Sequence, residues 1–210
     1  MSGSHTGEAR IVPVFDAAGL SRFPGNRHPL WWGEVGLILI ELSVVSAFIA
    51  AYFYLAVNAP AWPPPGVEPP PLLWPSLNVV LLLASMGTMY WASWGINRGN
   101  QRILVWGVTL SVLLHCAVLV LRGLQMAAFP YRWDEHAYAS IVWTITGFHF
   151  THVASAIVGS AAVAVLAARG YFTRERQLAV IVDTLYWYFV SAVWVPFYLV
   201  LYWSPRLLQP

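Results

Sequence analysis

The sequence predicts an all-α integral membrane protein of five transmembrane helices, with its amino terminus in the cytoplasm and its carboxyl terminus outside. Three observations carry this reading. Hydrophobic residues make up 59% of the chain and charged ones only 10%, against about a quarter charged in soluble domains. Five apolar stretches are each long enough to cross a hydrocarbon core as a helix, which takes about 20 residues for roughly 30 Å. The arginines, finally, are divided unequally between the two sets of connections.

In chain order, residues 1–32 hold Pro13, Pro24, Gly25, Pro29 and several charges without a signal-type apolar core. They are expected as a cytoplasmic tail, and the first span as its own insertion signal. Residues 33–210 then form one membrane domain with spans at Gly33–Val57, Pro75–Ile96, Ile103–Ala128, Ala139–Ala168 and Leu178–Trp203. None shows the alternation of a barrel strand, and helix is the remaining way to satisfy every backbone group inside lipid. The fourth is long enough to require tilt or a protruding end. Between the first two spans, Trp62-Pro63-Pro64-Pro65-Gly66 and Pro69–Pro71 predict a stiff, extended outer connection. Trp31, Trp32, Trp62, Trp74, Trp133, Trp187 and Trp203 are expected as interfacial anchors.

Orientation follows from the basic residues, all of which are arginine. Arg10, Arg22, Arg27, Arg98, Arg102, Arg169, Arg174 and Arg176 fall on one side, Arg132 and Arg206 on the other, and the richer side is cytoplasmic. These arginines are scattered singly and form no stripe for nucleic acid. The lone Cys116 excludes an internal disulfide and any cysteine-built zinc or iron–sulfur site. No phosphate loop, catalytic triad, zinc signature, dinucleotide fingerprint or internal repeat is present. The spans also lack the paired broken helices of a transporter.

Ionisable groups inside a span are costly, about 2.5–3.5 kcal/mol at the centre, and so are functional candidates. Glu41 is the deepest acid, about 12 Å into the first span. It is expected to be protonated or paired within the bundle, with Ser85, His115 or His152 as partner. Glu34 and Asp183 read as hydrated groups near span ends. Arg122 and Gln125, one turn apart near the outer end of the third span, predict an arginine reaching lipid phosphate or the outer acids Asp134 and Glu135. His149 and His152 share a helix with His115 at similar depth on another, which leaves open a haem or copper site. Bulky Leu113 and Leu114 beside His115 favour histidines bonded between helices instead. Gly147, Ala154, Ser155, Gly159, Ala161 and Ala162 make the fourth span a surface that another helix can approach closely.

Four stretches, in order, resemble the subunit III family of haem–copper terminal oxidases. They are Trp31-Trp32 with Gly33 and Glu41; Trp62-Pro63-Pro64 with Gly66, Leu77-Asn78, Leu83-Ala84-Ser85, Gly87 and Trp91-Ala92; Thr146-Gly147-Phe148-His149 with His152-Val153 and Gly159; and Tyr186-Trp187-Tyr188-Phe189-Val190 with Val193-Trp194 and Tyr202-Trp203. The resemblance implies the five-helix form, an accessory subunit of a bacterial inner-membrane oxidase. Such a subunit carries no haem or copper of its own, packs on subunit I (and II), binds phospholipid and supports proton uptake; Glu41, His149 and His152 are the proton-related or buried polar candidates. The chain departs from the family at Tyr188, Ser191 and Gln125, where the family has His, Asp and Glu. Those departures leave open service to a nitric oxide reductase. A stand-alone b-type cytochrome is the alternative of another class.

Overall fold

A computed structural model describes residues 28–207. The helices are α1 (Pro29–Asn58), α2 (Leu73–Asn97), α3 (Gln101–Ala127), α4 (Ala137–Ala168) and α5 (Leu178–Tyr198), the last continuing through a π-helical segment, Leu199–Trp203, into the short α6 (Ser204–Leu207). Five helical stretches, the fifth being Leu178–Leu207, are long and apolar enough to cross a membrane. Their orientation and the tail before His28 lie outside what these residues describe.

Caps explain the starts of α1, α3 and α4, which precede the sequence expectation by two to four residues. Pro29 occupies the first turn of α1 and His28 Nδ1 accepts the Leu30 N–H at 3.1 Å, so Trp31 and Trp32 belong to the helix and not to the tail. Asn100 accepts the Ile103 N–H at 3.2 Å, and His136 Nδ1 accepts that of Ala139 at 2.9 Å. Gly99, at φ +72°, turns the chain between α2 and α3. Pro196 lies inside α5, and the π-helical segment begins three residues later, so the break in regular bonding has an identifiable source.

Helix α3 packs between α2 and α4; α5 packs on α2 and α4, and α1 lies mainly against α4 and α5. The tightest crossing is α2 on α3, where a Cβ built on Gly107 would lie 2.6 Å from Ala92 Cβ. Only backbone hydrogen fits there. Helix α1 buries just Val45 and Tyr52 and leaves Leu37, Leu39, Ile40, Leu42, Phe53 and Tyr54 exposed.

Two tryptophans expected at the interface are inside. Trp187 is fully buried, with its indole N–H donating to Ser85 Oγ at 3.2 Å. Trp62, carried inward by the proline-rich connection, sits edge-to-face between Tyr52 and Tyr138 at 5.4 and 5.1 Å. An indole can thus fill the core where its N–H or its ring edge finds a partner. Trp32, Trp74 and Trp203 remain exposed near helix ends and Trp133 in the connection between α3 and α4.

Candidate functional site

Glu41 lies roughly 18 Å along α1 from Pro29 at 1.5 Å per residue, near the middle of the helix. Its Oε2 is 3.0 Å from His152 Nε2 on α4. Of the three partners the sequence offered, His152 is the one that the fold selects. Ser85 is engaged with Leu82 O and the Trp187 indole, while His115 lies against the Trp187 ring with centroids 3.7 Å apart.

The hydrogen bonds limit where protons can be. His152 Nδ1 is 2.8 Å from the Phe148 carbonyl oxygen, which can only accept, so Nδ1 carries a hydrogen. Nε2 then has two options facing Glu41. It accepts from a protonated carboxyl, or it donates, as part of an imidazolium, to a carboxylate. Either way the pair holds one shared proton and is neutral overall. Removing that proton would set a ring lone pair against a carboxylate in a setting where the side chains are only 16% and 22% exposed. A hydrogen held between two heavy atoms 3.0 Å apart is the chemistry this site offers.

Polar groups continue from this pair along the seam of α1, α4 and α5. Ser155 donates to His152 O at 2.8 Å, and its hydroxyl is 2.9 Å from Tyr186 Oη. One turn before Tyr186, Asp183 accepts the Ser160 hydroxyl, which lies 2.8 and 2.9 Å from its two oxygens. Asp183 is mostly buried against α4, so it is not the freely hydrated end residue expected. Glu34 stands two turns before Glu41 on α1, with the helix ends nearby joined by a Gln177–Asn97 bond of 2.9 Å.

His149 also bridges helices, its Nε2 donating to the Val190 carbonyl at 3.1 Å. That leaves Nδ1 as an acceptor without a partner. The histidine nitrogens considered for haem or copper thus serve helix-to-helix bonds at His149 and His152. Among the described residues no group of three or more His, Cys, Asp or Glu is placed to hold a metal ion.

Arg122 corrects the sequence expectation. Instead of reaching headgroups, it is 1% exposed and points into the bundle, with its guanidinium carbon 3.3 Å over the Trp194 ring. Asp134 pairs with Arg132, at 3.2 Å, and no acid among the described residues pairs with Arg122. A desolvated cation–π contact contributes about 2 kcal/mol, less than the several kcal/mol that enclosing a charge costs. Gln125, in the same layer, donates to Tyr202 Oη at 2.6 Å. The i,i+3 spacing of Arg122 and Gln125 marked the pair but could not indicate its direction. Trp194, the residue whose ring the guanidinium faces, entered the sequence reading only as part of the family resemblance, with nothing to link it to Arg122.

Compared with known proteins, the chain matches the family described as Cytochrome c oxidase subunit III over residues 25–205. It is 33% identical to cytochrome c oxidase subunit 3 of Scyliorhinus canicula over 180 residues, 80% of this chain and 68% of that protein. With the Pisaster ochraceus protein of the same description it shares 32% over 184 residues, covering 83% and 69%. With that of Gallus gallus it shares 31% over 198 residues, covering 87% and 74%.

Proposed function

Since the chain belongs to the cytochrome c oxidase subunit III family, we propose that it is a non-catalytic accessory subunit of a haem–copper oxidase, packed on subunit I and supporting proton uptake at the Glu41–His152 pair. The 3.0 Å bond between these two side chains is the observation that carries the proton reading. A neutral pair holding one proton at mid-membrane depth can accept and release it between two heavy atoms without creating an isolated buried charge. The seam through Tyr186, Ser155 and Asp183 leads toward the arginine-rich helix ends, the side from which protons would enter.

Packing on a partner is supported by the exposed apolar side of α1 and by small residues on α4, of which Gly159 meets nothing nearer than Asp183 Oδ1 at 3.6 Å. The remaining apolar surface suits phospholipid. In this reading haem and copper are held by subunits I and II, and this chain holds neither. The membrane is a bacterial cytoplasmic membrane with the arginine-rich ends inside, in keeping with the positive-inside rule. The test is purification in mild detergent through a tag on this chain. An oxidase subunit I should co-purify with haem and copper in stoichiometric amount. Recovery with a nitric oxide reductase would reassign the partner, and recovery alone with a haem spectrum would replace the accessory reading by a cytochrome.

A further inference from the structure

A buried positive charge without a carboxylate is the least satisfied feature of the bundle. Arg122 is 1% exposed, and its Nε, Nη1 and Nη2 all lack a hydrogen-bond partner, as does the indole Nε1 of Trp194 beneath it. Arginine and tryptophan nitrogens only donate. One turn along α3, Gln125 Oε1 is an acceptor without a partner, as is His149 Nδ1 on α4; the Thr146 hydroxyl, next to Tyr202, and that of Ser191, one turn before Trp194 on α5, are also buried. His149 and Tyr202 lie within electrostatic reach of the guanidinium. Donors thus outnumber obligate acceptors, and every acceptor is neutral. Rearranging these side chains could satisfy some N–H groups, but it could not balance the charge.

We propose that Arg122, with Trp194 and the Thr146 and Ser191 hydroxyls, forms an internal binding site for one small inorganic anion, chloride being the abundant candidate. The burial decides the class. A lipid phosphate or a partner's carboxylate would have to reach a side chain that is 1% exposed, whereas a spherical monovalent ion can be enclosed. Water can fill the donors but leaves the guanidinium unneutralised in a low-dielectric layer. The bound ion ties α3 to α4 and α5, on which the proposed ligands lie. The site is independent of the proton reading at Glu41.

Bromide serves as the probe. The full-length protein, in its complex, is purified with bromide replacing chloride from solubilisation onward, then analysed for bound bromide and by anomalous diffraction. One bromide per chain beside Arg122 is expected, together with a saturable rise in unfolding temperature on the order of 5 °C in chloride over gluconate at equal ionic strength. Arg122→Gln should abolish both effects. Arg122→Lys, which keeps the charge and guards against a Gln variant that fails to fold, should retain the anion dependence with half-saturation shifted at least about tenfold upward, because a single ammonium replaces the planar fork. Identical stability in chloride and gluconate with only water beside Arg122, or bromide bound elsewhere and indifferent to these substitutions, would overturn the proposal.

Discussion

Replacing Glu41 by Gln and by Ala separates the protonic from the structural role of the α1–α4 contact. Gln is nearly isosteric, and its amide can donate to His152 Nε2 in the tautomer that the Phe148 carbonyl imposes. The helix contact survives, and the change in folding stability should stay within about 0.5 kcal/mol. Ala removes the partner and leaves the ring nitrogen without its hydrogen bond across α1 and α4. A hydrogen bond involving a group that can be charged contributes about 1.5–3 kcal/mol. Because the side chains keep 16% and 22% exposure, the lower end applies, about 1.5 kcal/mol or slightly more than tenfold in the folding equilibrium. Thermal unfolding of the purified subunit measures this, while turnover and proton uptake of the assembled oxidase measure function. The Gln variant should unfold like the parent yet lose the protonic contribution, and it should resist modification by a hydrophobic carbodiimide that labels the parent. If Gln matches the parent in turnover and proton uptake, the shared proton has no functional role. A double-mutant cycle with His152→Gln should give a coupling of at least about 0.5 kcal/mol; zero coupling would show that the two side chains do not interact.

Gly159→Leu should leave folding of the chain nearly unchanged, since Gly159 is exposed and a Cβ there meets only Asp183 Oδ1 at 3.6 Å, but it should reduce recovery of the oxidase complex; full recovery in mild detergent would mean that this face meets lipid alone. A reporter active only outside the cytoplasm should work when fused after Pro65 and fail after Arg98 or Arg174, and activity at Arg174 would overturn the orientation. Burial pushes the Tyr131 phenol up from its ordinary value, so its contribution to stability is present below about pH 10 and is lost as pH rises beyond it; Tyr131→Phe should flatten the alkaline limb of a stability–pH profile read by thermal unfolding.

The number and approximate length of the spans were legible in the sequence because they rest on one-dimensional quantities: apolar run length against membrane thickness and the need to satisfy each backbone group within its own helix. Glu41 was legible for the same reason, as an acid where lipid would otherwise be. Which partner it takes depends on the rotation of α1 against α4. Nothing in the weak amphipathicity of helices that are apolar all round specifies that angle, and only packing placed His152, rather than Ser85 or His115, at 3.0 Å. Arg122 is the clearest limit. Its position near a span end predicts a side chain reaching outward, and that is the lower-energy course for an isolated helix. Tertiary structure reverses it, because Trp194, 72 positions away in the chain, brings a π face to 3.3 Å and neighbouring helices close the route to the surface. Hydrophobicity along the chain determines which segments enter the membrane; the contacts between them determine which polar groups meet inside it.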